Sequence, residues 1–79
     1  MIIEMGDDIF AKNLVALRNK YAMSQCTLAR LIGISESLLA GIEDGTEPPA
    51  IPLESFRRIY RIFDIESNDL IRIDLSRFL

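Results

Sequence analysis

Apolar residues recur at helical spacing along most of this chain. Phe10, Leu14 and Leu17 fall at i, i+4 and i+7, with Lys12, Asn13 and Arg18 off that face, which predicts a first helix near residues 8–21. Asp7 or Asp8 suits its N-cap, where a carboxylate meets free backbone N–H groups and the positive end of the helix dipole. Ser24 is the next N-cap. Leu28, Leu31 and Ile32 give the apolar face of a short second helix, and Gly33 ends it. Glycine enters the left-handed C-cap conformation without a Cβ penalty. Ser35 caps a third helix over residues 36–44 on Leu38, Leu39 and Ile42, and Gly45 ends that one. Pro48 and Pro49 exclude helix and bias their predecessors toward extended backbone, so residues 46–51 read as a loop. Pro52 suits the first position of a fourth helix that runs to about Phe63 on Phe56, Ile59, Tyr60 and Phe63. Ser67 caps a fifth element that begins at Asn68, with Asp69 in its first turn. After it the pattern leaves two choices open. Ile71, Ile73 and Leu75 alternate as a strand would, whereas Leu75, Phe78 and Leu79 also fit a helix.

These elements predict an all-α fold in one domain spanning residues 1–79. A chain of 79 residues buries roughly 60% of its unfolded surface, enough for one core and a marginal stability. No apolar run approaches the ~18 residues of a membrane span, and the acidic start is too short for a signal peptide. One cysteine, Cys26, excludes an internal disulfide and fits a cytoplasmic location. Histidine is absent, so no zinc site, cofactor or histidine base is expected, and Cys26 lacks an activating partner. The four glycines form no phosphate loop. The composition points away from enzymes.

Residues 24–45 have the spacing of a helix-turn-helix unit: a capped short helix, Gly33, Ile34, a second cap and a second helix. Such a unit needs a small residue at the helix crossing (Ala29), a flexible turn (Gly33) and apolar residues beneath it (Ile34, Leu39, Ile42). Here the chain resembles the lambda-repressor-like, Cro-type helix-turn-helix domains of phage repressors and bacterial regulators. The matching residues are Leu17-Arg18, Ser24-Gln25, Leu28-Ala29, Leu31-Ile32-Gly33-Ile34-Ser35, Leu39, Ile42-Glu43-Asp44-Gly45, a loop proline, Ile59, Phe63-Asp64-Ile65 and Asp69-Leu70-Ile71. The loop before the fourth helix is slightly longer than the shortest family form.

The resemblance implies a compact five-helix bundle that binds double-stranded DNA as a transcriptional regulator. It implies an ion pair between Arg18 and Glu43 tying the first helix to the end of the third. It places Glu36, Ser37, Leu38, Ala40 and Gly41 toward base edges, and Gln25 at a phosphate. Cys26 stands where the family often has a small packing residue. Lys12, Lys20 and Arg30 are further phosphate candidates. So are Arg57, Arg58 and Arg61, which share one face of the fourth helix at i, i+1 and i+4. The other reading of those arginines is a solvated face paired with Glu54 or Asp64.

Charge alters this picture. Across residues 24–49 the one basic residue, Arg30, faces Glu36, Glu43, Asp44 and Glu47, while the rest of the chain holds eight basic and eight acidic residues. The whole net charge of −3 therefore lies where phosphates would dock. No strong base reader, an Arg or Lys for guanine or an Asn or Gln for adenine, stands at the base-facing positions. Two expectations result. The first is a DNA-binding regulator acting as a homodimer, whose paired half-sites compensate a weak reader. Its dimer contact would be Ile71, Ile73, Leu75, Phe78 and Leu79, too apolar for a frayed tail. The second is a protein-interaction module on the same fold, docking through its acidic and apolar third helix.

Overall fold

A computed structural model describes residues 2–4 and 9–77. Strand β1 spans Ile2–Glu4, followed by helices α1 (Ile9–Lys20), α2 (Gln25–Ile32) and α3 (Glu36–Asp44). Strand β2 (Ala50–Pro52), α4 (Leu53–Ile62), α5 (Ser67–Arg72) and a short 3-10 turn at Leu75–Arg77 complete the order. The described residues are thus mostly helical, as the spacing predicts. Asp7, Asp8, Phe78 and Leu79 lie outside the described residues.

Local chemistry sets the helix ends around α2 and α3. Ser24 is extended, and its Oγ accepts from the Thr27 N–H at 3.1 Å. Gly33 takes the left-handed conformation (φ +80°), and its N–H and that of Ile34 both donate to the Ala29 carbonyl. Ser35 repeats the N-cap for α3, its Oγ accepting from the Leu38 N–H at 3.1 Å, and Gly45 closes α3 at φ +83°. These four caps satisfy groups that a helix end leaves free.

Two boundaries differ from expectation. Pro52 is the cap rather than the first residue of α4, because its ψ of 145° is extended. Ser67 is the first residue of α5, and Glu66 is its cap: the Glu66 carbonyl accepts from the Asp69 and Leu70 N–H groups.

The proline loop also holds a feature that the spacing does not predict. Residues 50–52 pair antiparallel with β1 in the register Ile2↔Pro52, Ile3↔Ile51 and Glu4↔Ala50. The pairing sets Ile51, fully buried, into the core. Within β2 Ile51 precedes Pro52, and a proline pushes the residue before it toward extended backbone, so the centre of the strand was already biased that way.

The core combines Phe10, Leu14 and Leu17 of α1 with Leu28 and Ile32, Leu39 and Ile42, Phe56, Ile59 and Phe63, and Leu70. Burying each such side chain contributes about 1.5–3 kcal/mol. The Phe10 and Phe56 rings meet at 6.2 Å between centroids, and Tyr21 lies 5.4 Å from Phe63.

Asn13, expected off the apolar face, is fully buried. Its Nδ2 donates to the Leu70 carbonyl at 2.7 Å and the Ile73 carbonyl at 2.8 Å, and its Oδ1 accepts from the Leu75 N–H at 2.8 Å. One amide therefore ties α1 to the end of α5 and the residues beyond it. This settles the open choice at the C-terminal segment: α5 ends at Arg72, Ile73 is extended (φ −108°, ψ 131°), and Leu75 starts a 3-10 turn.

The same contacts revise the expected dimer surface. Ile71 and Leu75 are half-buried against the protein's own core, and Ile73 is 40% exposed. Among the described residues of the segment, Ile71 and Leu75 thus spend part of their apolar surface inside the molecule. Phe78 and Leu79 of that surface fall outside the described residues. No described helix is long and apolar enough to cross a membrane.

Candidate functional site

The α2–turn–α3 unit is fixed to α1 by one carboxylate. Glu43 accepts from Arg18 Nε at 2.9 Å, Arg18 Nη2 at 2.8 Å and Gln25 Nε2 at 3.0 Å. Arg18 Nη1 also donates to the Met23 carbonyl at 3.0 Å. The Glu43 side chain is 5% exposed and that of Arg18 is 18% exposed. The pair is bidentate, the geometry in which guanidinium and carboxylate match best. Hydrogen bonding to Glu43 raises the pKa of Arg18 above its ordinary value, against the opposing effect of burial. The expected Arg18–Glu43 pair is present, and it is held at both ends of the unit: at the close of α1 and at the close of α3.

The same network changes the role of Gln25. Its amide N–H donates to Glu43. Cys26, half-buried, has its Sγ 3.7 Å from Arg30 Nη2.

Of the five positions expected at base edges, two are exposed. Glu36 and Ser37 open α3 on its solvent side, with the Ser37 and Ser35 hydroxyls 3.3 Å apart. Leu38 is half-buried and packs on the core, and Ala40 is half-buried. Gly41 is a correction. It is buried, because the Glu47 side chain lies over it, so it presents nothing to a groove. Sequence spacing shows the face a residue occupies and is blind to a later segment folding across it.

The basic residues divide. Lys20 and Arg30 are exposed, at the end of α1 and along α2. On α4, Arg57 lies 3.8 Å from Glu54, both about half exposed, a pairing of the solvated kind worth little. Arg61 is exposed. Arg58 stands apart: a Cβ built on Gly33 would lie 2.7 Å from its Nη1. The guanidinium thus covers the turn between α2 and α3, two residues before the cap of α3.

Beyond α3, Asp44 Oδ1 accepts from the Thr46 N–H at 2.9 Å and Thr46 Oγ1 at 2.7 Å. These bonds, the hydroxyl's first, hold the Asp44 carboxyl below the ordinary aspartate range. A depressed folded-state value means that this contribution is present above the unfolded value and lost as pH falls through the folded one. In an NMR titration Asp44 should show a midpoint below that of an unstructured aspartate, and Thr46→Val should move it most of the way back. An unchanged midpoint in the variant would contradict the assignment.

Among the described residues no group of three metal-ligating side chains comes together, and no buried side-chain polar atom lacks a partner. No protein-family model matches the chain, and neither does any curated protein or solved structure.

Proposed function

We propose that this protein is a DNA-binding transcriptional regulator of the lambda-repressor-like, Cro type, acting as a homodimer, with α2–turn–α3 as its helix-turn-helix unit. The observation that carries the proposal is Arg58 over Gly33. It sets a cation at the turn beside the exposed opening of α3, so the end of the helix that would enter the major groove has positive charge at its flank. Glu36 and Ser37 contact base edges, as an acceptor for cytosine N4 and as an adaptable hydroxyl. Phosphates meet the first turn of α2, Arg30, Lys20 and Arg58, with Arg57 and Arg61 further along α4. A dimer supplies a second copy of this small surface for the second half-site.

The binding should be salt-sensitive, since charge supplies most of it. Titrated against a mixed-sequence duplex at low salt, Arg58→Ala should bind more weakly than wild type and with a salt slope smaller by about one, the mark of one lost phosphate contact. Its thermal midpoint should stay in place. Equal affinity and equal slope would remove Arg58 from the interface.

One observation favours a second reading. Glu47 covers Gly41, which leaves the outer face of α3 acidic and small. That face suits a basic protein partner, and an absence of duplex binding at low salt would favour it over the first reading.

A further inference from the structure

We propose that Glu47, folded back over Gly41, is the residue that limits contact between the outer face of α3 and duplex DNA; this rests on the DNA-binding reading above. The helix phase places Gly41 with Ser37 at i−4 and Asp44 at i+3, both exposed. Gly41 belongs to that outer face by phase and is nevertheless buried. The cause is the segment after α3. The Glu47 N–H donates to the Gly41 carbonyl at 3.0 Å, and Thr46 is held to Asp44 by its N–H and its hydroxyl. The chain turns back on the helix, and the stem of Glu47 lies where a Gly41 side chain would stand. A Cβ at Gly41 would sit 3.0 Å from the Glu47 Cβ and 3.4 Å from Thr46 Oγ1, and would collide with the Glu47 Cγ. Glycine at this helical position is what lets the segment seat.

The consequence is electrostatic as well as steric. Glu47 is exposed, and its stem lies on the outer face of α3, so it adds an acidic side chain to that face. It stands one turn past Ser37, close to the strand that would border the groove. A phosphate there meets repulsion that the first turn of α3, flanked by Arg58, does not impose. Contact is confined to the Ser35–Leu38 end of the helix, and Glu47 sets a ceiling on affinity.

The test is an anisotropy titration of a labelled mixed-sequence duplex at low salt with four proteins: wild type, Glu47→Gln, Gly41→Ala and Glu66→Gln. Glu66 is an exposed acid at the cap of α5, so its variant carries the same change in net charge away from α3. Glu47→Gln should bind about twofold tighter than wild type, the effect of removing one charge about 8 Å from a phosphate in a water-like dielectric. Gly41→Ala favours the helix and displaces Glu47 with no charge change, so it should also bind tighter. Glu66→Gln should match wild type. If Gly41→Ala does not fold, the Glu47→Gln comparison decides alone. Wild-type binding that Glu47→Gln leaves unchanged, or that Glu66→Gln raises equally, overturns this inference and leaves the DNA-binding reading standing. Absence of binding by all four overturns both.

Discussion

Asn13→Leu should destabilise the protein by roughly 3–9 kcal/mol, although leucine shares the branching of asparagine and is better suited to a core. The substitution leaves the Leu70 and Ile73 carbonyls and the Leu75 N–H without the partner that Asn13 gives them. Each stranded group costs about 1–3 kcal/mol. Single domains have about 5–15 kcal/mol in total, and a small one sits low in that range. The loss is therefore comparable with the whole stability. Urea unfolding followed by circular dichroism measures it. The C-terminal segment should loosen first, since Asn13 is the tie that joins α1 to α5 and the turn beyond it. A loss under about 1 kcal/mol would show that water or a shift in backbone replaces all three bonds.

Glu43→Ala should be nearly as damaging. It removes the acceptor for Arg18 and for the Gln25 amide at once. Breaking a buried pair from one side costs about 3–5 kcal/mol, because the remaining charge keeps its burial and loses its partner. Arg18 is less buried than Glu43, so some of its charge regains water and the lower end of that range applies. Arg18→Met should cost more, because it leaves a carboxylate that is 5% exposed without its cation and with only the Gln25 amide as donor. The double variant Arg18→Met, Glu43→Leu should be less destabilised than the sum of its parts, since neither charge is then left alone. Additive losses in thermal unfolding would mean that the two residues act independently.

These two sites show which parts of the molecule the sequence makes legible. The ends of α2 and α3 follow from Ser24, Gly33, Ser35 and Gly45, because each cap is decided by a side chain and a backbone within a few residues. The Arg18–Glu43 pair is non-local, and it became legible through the resemblance of the surrounding motif. Asn13 was hidden by its own chemistry. It lies about 70° from the centre of the Phe10–Leu14–Leu17 stripe by helix phase, and only the packing of α5 against α1 widens the buried arc to include it. A polar residue there reads as surface until its three partners are seen.

The tail is ambiguous for the opposite reason. Ile71 and Leu75 are apolar whether they cover their own core or a second copy, and hydropathy alone does not tell the two apart. The β1–β2 pairing joins segments 46 or more residues apart, beyond the reach of any local pattern. Gly41 illustrates the same limit at the candidate interface. Its phase is right for a base-facing position, and it is lost to that role because Glu47 returns across it.

On the DNA-binding reading proposed above, recognition centres on the first turn of α2, the first turn of α3 and Arg58, with Arg30 and Lys20 beside them and Arg57 and Arg61 further along α4. The most direct test is to add a short mixed-sequence duplex at low salt to isotope-labelled protein and follow the backbone amides. Shifts are expected at Gln25, Cys26 and Thr27, at Ser35 through Leu38, and at Arg58, with smaller ones at Lys20 and Arg30. An unchanged spectrum, or shifts confined to α5 and the 3-10 turn, would contradict that reading.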